Sequence, residues 1–472
     1  MVCFVYISLG VVIVAAAALD TYRRKQLSGV KPWIACFLDT LCVIPRALGL
    51  GVWKKGFARS ITDILAKVKR TTGLSDMGGT GEAALIERYD LMLQAGITNS
   101  RARLSPSGVY FTANTIEKRI TLRLRMIDFL KRHPDIEKIG VRKPVFVIGF
   151  PRTGTTFLHE LLGLHPEVRM HYSWEQMDPV PKTDNESMEA RIADRKRRYG
   201  ANRAELENLL MVGGDAIQSI HRIGYDEPEE CTTPCAMELP WNIATIAFTV
   251  FAARELQDLD AGQAFVLYRK FLQLMAWQAE DRQEPFTWML KCPFHLPYLT
   301  ELFSAFPDAT VVWTHRDPAE CIASACSLYE TMMKLLVDSW TIDKHALGQA
   351  VMEYTSIALD KAMASVEKAS RTMKILHVRY ADNVKDPKNI CRQVFEKAEL
   401  PFSREFEDRV DGYLAKNAEQ RKKLKEQKAK EQREGKTTEL HSYSLEEYGL
   451  SEEMVLQRFG PYISKYNLRA NK

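Results

Sequence analysis

A framework for a metal site is missing from this chain. Nine cysteines and ten histidines are scattered along 472 residues. Cys231 and Cys235 lie close together, but no second Cys or His pair follows at zinc spacing. The cysteine total is odd, which fits reduced thiols in a cytosol-facing protein; a luminal disulfide between Cys231 and Cys235 is the alternative. Excess charge is lacking too. A net charge of +5 is small for this length, and it is local: residues 421–436 hold eight Lys or Arg against three Glu. The rest of the chain therefore sums to neutrality, and nothing in it implies a nucleic-acid partner. No internal repeat is present, so a repeat array is excluded.

Positive charge is also missing ahead of the first apolar run. Val2–Leu19 is uncharged and covers about 27 Å as a helix at about 1.5 Å per residue, the lower limit for spanning a bilayer. A cleaved signal peptide normally begins with basic residues, although Ala15–Ala18 would serve as a cleavage site. Arg23, Arg24 and Lys25 follow the run directly, and by the positive-inside rule they put the body on the cytosolic side. Residues 1–22 are read as a single-pass transmembrane anchor, with a Golgi or ER luminal body, or a buried N-terminal helix, as alternatives. Trp33–Trp53 is interrupted by Asp39, Pro45 and Arg46, which suits an interfacial or core helix better than a second span. Residues 23–140 are expected to be helical, because apolar residues recur at helical spacing in ITDILAKVKR, AALIERYDLMLQAG and IEKRITLRLRMIDFLKRH.

What is present is concentrated between Pro144 and Pro166, PVFVIGFPRTGTTFLHELLGLHP. An apolar strand-type run, Val145 to Phe150, enters a loop holding Gly149, Pro151, Arg152, Thr153, Gly154, Thr155 and Thr156, and an amphipathic helix starts at once. Glycine lets backbone approach an anion closely, and the helix N-terminus behind it offers unpaired N–H groups and a positive dipole end. The Gly149-to-Gly154 spacing is that of a Walker loop, but Thr155 stands where the Walker lysine belongs. Arg152 is the nearest cation. A nucleotide kinase is disfavoured, since that lysine reaches the β/γ-phosphates of ATP. A non-catalytic, membrane-tethered interaction protein is the other alternative.

Beyond the loop the chain alternates between strands and helices. Strands are expected at Thr287–Lys291, Thr310–His315 and Lys374–Tyr380, and helices at Asn185–Gly213, Ala261–Arg282, Leu296–Phe306, Pro318–Leu336, about Lys344–Ser370 and after Pro387. Nearly all-apolar strands separated by helices predict an α/β fold, a P-loop-like parallel sheet flanked by helices. Ligands bind such sheets beyond the carboxyl ends of the strands, where Arg152, Lys291, Arg316 and Tyr380 all fall. Asn417–Lys436 pairs Glu419 with Lys423 and Glu426 with Lys430 at i,i+4 spacing, as an exposed helix would; contact with anionic lipid headgroups is the sharper reading.

GFPRTGTTFLHELLGLHP closely resembles the 5′-phosphosulfate loop of the sulfotransferases, in the branch written PR(S/T)GTT, which includes bacterial-type and protein-tyrosine enzymes. VVWTHRDPAECIASACSLY resembles that family's 3′-phosphate motif, and RFGPYISKY its closing helix. The resemblance implies a sulfotransferase-like domain over residues 141–472, with a charged surface helix at 414–440. It implies 3′-phosphoadenosine 5′-phosphosulfate as donor, with no metal, and the residues from Pro151 to Thr156 as the 5′-phosphosulfate cradle. Arg316 and Ser324 take the 3′-phosphate. LKCPFHLPYL resembles a family segment that assigns Lys291, with Arg152, to the transferring sulfonate. The base in this branch is a Glu some twenty residues beyond the loop arginine, and Glu175 sits close to that distance; a helix-capping or salt-bridged Glu is the plain reading. His295 is the second candidate, although it stands at Lys-x-x-x-His rather than Lys-x-His spacing. RYADNVKDP resembles a family segment in which Tyr380 lines the nucleotide, with Ala381 replacing a Glu; packing is its plain role. Trp174, Tyr172 and Trp241 suit a small-molecule, lipid or carbohydrate hydroxyl acceptor.

Overall fold

The structure is a computed structural model that describes residues 59–184, 187–220, 224–239, 250–279, 286–338, 341–368, 373–433 and 444–469. The chain divides into two compact units. One comprises Met1–Gly140, His171–Arg282 and Cys326–Tyr354; the other comprises Val141–Met170, Gln283–Ala325 and Thr355–Lys472.

The second unit is built on five parallel strands: β1 (Val145–Ile148), β2 (Val168–Arg169), β3 (Thr287–Lys291), β4 (Thr310–His315) and β5 (Lys374–Arg379). Their order is β2-β3-β1-β4-β5. The central strands β1 and β4 are buried at every position, as apolar runs covered on both faces require. Register places Val147 beside Lys291 on one side and Ile148 beside Trp313 on the other. Three carboxyl ends, those of β3, β1 and β4, are thus neighbours. One face of the sheet closes on Leu158, Leu161 and Leu162 of the helix Thr155–Leu162 and on Ile390, Val394 and Phe395 of the helix Pro387–Ala398. The α/β expectation holds in its core. The expected first strand stops at Ile148, two residues early, because Gly149 begins the loop. The last strand stops at Arg379, because Tyr380 opens the helix Tyr380–Lys385. Strand β2, two residues long, has no periodicity to announce it.

The first unit is helical where it is described up to Gly140, at Ile61–Thr72, Glu82–Thr98 and Pro106–Arg132. Ser60 and Ser105 cap the first and third of these through their side chains, and Pro106 sits in the first turn, where a missing N–H costs nothing. A charged group holds its centre. Arg123 is fully buried and bonds Glu238, Met77 O at 2.6 Å and Met237 O at 2.9 Å, while Arg88 reaches Glu238 at 2.6 Å. Glu238 comes from the acidic stretch 226–239. Cys231 and Cys235 lie at the two ends of one helical turn there as buried thiols, not joined in a disulfide.

No helix among the described residues is long and apolar enough to cross a membrane. The anchor expected over residues 1–22, the Trp33–Trp53 stretch and Trp241 lie outside the described residues.

Candidate active site

The loop after β1 owes its shape to two glycines and one strained arginine. A Cβ on Gly149 would lie 2.3 Å from Thr314 Oγ1 and 2.6 Å from Thr153 Oγ1, so only glycine lets the chain leave β1 this close to β4. The two hydroxyls fill that space, 2.7 Å apart. Thr314 Oγ1 donates to Ile148 O at 3.1 Å. Arg152 has φ 75°, a left-handed conformation that costs an L-residue about 1–2 kcal/mol and gathers at functional sites. Gly154 follows at φ 88° and stands at the N-cap of Thr155–Leu162 with no side-chain cap. The first N–H groups of that helix are therefore available to an anion. Thr155 is buried and Thr156 exposed.

Arg316 meets this loop from the end of β4. Its Nη1 donates to Arg152 O at 3.0 Å, its Nε donates to Glu320 at 2.9 Å, and its guanidinium lies 4.2 Å from the Tyr380 ring centroid. Arg152 Nε in turn donates to Ser324 Oγ at 3.1 Å. Ser324 lies two turns into the helix Pro318–Leu336, which explains its eight-residue spacing from Arg316. Arg152, Arg316, Glu320 and Ser324 wall a polar cavity of about 410 Å³. Beside it, Phe157, Tyr380, Val384 and Leu414 wall a second cavity of about 530 Å³ that also receives Arg421 and Lys422. Those two cations belong to Arg404–Arg433, so the charged run turns one face to a cavity rather than to solvent alone.

Lys291 is buried at the end of β3, directly across from Val147. His295 lies fully buried in the short helix Pro293–Tyr298, edge-on to Phe146 at 5.7 Å. Three contributors escaped the sequence reading. Glu320 was signalled only by its i,i+4 distance from Arg316. Thr314 was hidden in an apolar strand. Asn383 is completely buried, with neither polar side-chain atom bonded among the described residues; its Nδ2 lies 3.7 Å from the position a Gly154 Cβ would take.

The model of the sulfotransferase family matches residues 144–404, more than half of the chain. The chain belongs to the sulfotransferase family. It is 23% identical over 294 residues to the omega-hydroxy-beta-dihydromenaquinone-9 sulfotransferases Stf3 of Mycobacterium bovis and Mycobacterium tuberculosis, covering 60% of this chain and 69% of theirs. Its fold matches the crystal structure of sulfotransferase STF9 from Mycobacterium avium with a TM-score of 0.67 at 22% identity, over 87% of this chain and 97% of that one. Sulfotransferase STF1 from Mycobacterium tuberculosis gives 0.64 at 23% identity, over 86% and 99%.

The remaining residue that the sequence offers as a candidate, Glu175, belongs to the first unit of this sulfotransferase. It sits in the helix Ser173–Met177, where Oε2 accepts from Tyr172 N at 3.0 Å and Oε1 from Arg195 Nη2 at 3.3 Å. Both contacts expected of a capping, salt-bridged glutamate are thus made. Arg195 also borders a cleft of about 310 Å³ walled by Trp174, Met188, Ile192 and Tyr199 and edged by Arg191 and Lys196. Arg195 lies over the Trp174 ring at 5.5 Å, so aromatic and cationic surfaces adjoin the carboxylate.

Proposed function

We propose that this sulfotransferase moves the sulfonate group of 3′-phosphoadenosine 5′-phosphosulfate to the hydroxyl of a lipophilic acceptor by direct in-line transfer. The observation that carries the donor is the linkage of Arg152, Ser324 and Arg316. A loop suited to one anion is tied to a second pair of anion-binding side chains, and a donor with phosphate at both its 5′ and 3′ positions uses both. The cavity bearing Phe157 and Tyr380 suits a purine, since a base stacks on aromatic rings.

The backbone N–H groups from Arg152 to Thr156, with the Thr155 and Thr156 hydroxyls, hold the 5′-phosphosulfate; Arg316 and Ser324 hold the 3′-phosphate. Glu175 accepts the acceptor's hydroxyl proton as its oxygen attacks sulfur, with His295 as the second candidate. The S–O bond to the 5′-phosphate breaks, and adenosine 3′,5′-bisphosphate leaves with the electron pair. Arg152 and Lys291 neutralise the charge that grows on the bridging and equatorial oxygens. A buried ammonium at a strand end suits that work, because low-dielectric surroundings strengthen it.

The acceptor reading is supported by the aromatic cleft beside Glu175 and by relatives named for a hydroxylated menaquinone derivative. The uncharged run Val2–Leu19, followed by three basic residues, supports a single-pass, cytosol-facing anchor that would bring the enzyme to such acceptors. Transfer of labelled sulfonate from the donor into a fractionated lipid extract tests the function. A labelled lipid is expected, and label only in water-soluble sugars or phenols would overturn the acceptor class.

A further inference from the structure

Arg316 contacts Arg152, Glu320 and Tyr380, while the last described segment of the chain grips the residues on either side of it. His315 is the last residue of β4 and is buried. Its Nδ1 pairs with Tyr462 Oη at 2.8 Å and its Nε2 with His377 Nδ1 at 2.9 Å. Tyr466 stacks on the same ring at 3.9 Å and 17°. Tyr462 lies in the helix Glu452–Lys465 and Tyr466 just after it. If Tyr462 donates, His315 Nε2–H passes the polarity on to His377, and one directed chain fixes both tautomers.

The other neighbour, Asp317, is buried as well. Its Oδ1 accepts from Ala319 N at 3.0 Å at the head of Pro318–Leu336 and from Arg469 Nη2 at 3.2 Å; Arg469 Nε lies 2.7 Å from Oδ2. Arg469 is itself anchored on Glu452 at 2.8 Å. The turn that projects Arg316 is therefore clamped twice from the last eighteen residues of the described chain, Glu452 to Arg469. Nothing in the fold of the sheet asks for this. Parallel strands pair through backbone, whereas these bonds run from side chains to the single turn whose direction decides where a guanidinium points.

We propose that Tyr462 and Arg469 are positioning residues for donor binding, acting through His315 and Asp317 to aim Arg316 at the donor's 3′-phosphate. The proposal rests on the reading that Arg316 takes that phosphate. It follows that the clamp contributes to the affinity added by a 3′-phosphate and not to affinity for the 5′ end, which the β1 loop holds by its own backbone. Tyr462→Phe removes one hydroxyl and keeps the ring; Arg469→Gln removes the charge from a partly exposed site. Both are mild enough for the chain to fold, and thermal unfolding checks this in each.

The experiment measures binding of adenosine 3′,5′-bisphosphate and of adenosine 5′-monophosphate to the full chain and to the two variants, with Arg316→Ala as reference. Each clamp variant is expected to lose about fivefold to tenfold affinity for the bisphosphate, as the loss of one hydrogen bond allows. Monophosphate affinity is expected to stay within about twofold of wild type. Equal weakening of both ligands would mark the clamp as merely structural and overturn the proposal, as would no weakening of either. If Arg316→Ala abolishes the bisphosphate's advantage while both clamp variants keep it, the clamp is wrong and the donor reading stands. If Arg316→Ala leaves that advantage intact, the donor reading itself falls and the clamp with it.

Discussion

Arg316 Nη1 donates to the backbone carbonyl of Arg152 at 3.0 Å, so the phosphate loop and the β4 anchor are one hydrogen-bonded assembly. That bond ties the strained residue of the loop, φ 75°, to the cation proposed to take the donor's 3′-phosphate. Preorganisation of this kind lowers the ordering needed at binding.

Gly154 is a second position, after Gly149, where that assembly leaves no room for a side chain. An alanine there would bring its Cβ within 2.9 Å of the Tyr380 ring at φ 88°. Gly154→Ala is expected to cost about 1–2 kcal/mol of stability for the left-handed residue and to abolish measurable binding of adenosine 3′,5′-bisphosphate by displacing Tyr380 from under Arg316. Calorimetry with parallel denaturant unfolding checks it; retained tight binding would contradict the loop geometry.

Glu175 and His295 separate by substitution. Gln at 175 keeps an acceptor for Tyr172 N, so the cap survives while the base is lost. Glu175→Gln is expected to lower single-turnover transfer by about 10²–10⁴-fold, the range for general-base catalysis, with bisphosphate affinity unchanged. His295→Gln is expected to fall by less than about tenfold. The reverse ranking would move the base to His295.

Stability of the first unit is expected to hinge on Arg123. Arg123→Met strands Glu238 in the core with Arg88 and Thr80 as its remaining side-chain partners and should destabilise by about 3–5 kcal/mol, the cost of uncovering a buried charge. Adding Glu238→Met should recover much of the loss, because the buried, under-compensated carboxylate then disappears. Urea unfolding of the single and double variants measures the difference; a double variant less stable than Arg123→Met would refute the pairing.

Acid should loosen the second unit through His315. Burial first, and then the neighbouring His377, hold its imidazole well below the ordinary 6.5. The folded pKa lies under the unfolded one, so the group's contribution is complete above about pH 6.5 and is lost as pH falls below it, since the unfolded chain takes the proton the folded one refuses. Thermal unfolding from about pH 7.5 to about pH 5 should decline more steeply in wild type than in His315→Gln, by up to about 1.4 kcal/mol per pH unit. Parallel slopes would show that His315 titrates normally.

The motif residues Arg152, Gly154, Arg316 and Ser324 were legible because their roles are local: a turn needing glycine, a helix N-terminus, and a serine two turns beyond an arginine. The strands of the sheet were legible because burial on both faces demands continuous apolar runs, and such runs survive any arrangement of neighbours. Strand β2 and the ends of β1 and β5 were not, because two residues carry no period and a single glycine or tyrosine sets where a strand stops.

By itself, the sequence determined the family through the resemblance of its motifs to those of the sulfotransferases, and the loop and the parallel α/β core through spacing along the chain. Only the tertiary structure decided that Tyr380 flanks Arg316, that Phe157 and the charged helix share a cavity, and that Tyr462 and Arg469 reach back to His315 and Asp317. Those pairs are separated in sequence by some 64 to 265 residues, and side chains so placed meet only when the sheet order brings their elements together. Glu175 shows the same division from the other side. Its distance from the loop arginine was readable, but its bonds to Tyr172 N and Arg195 depended on a short helix and a distant one folding against each other.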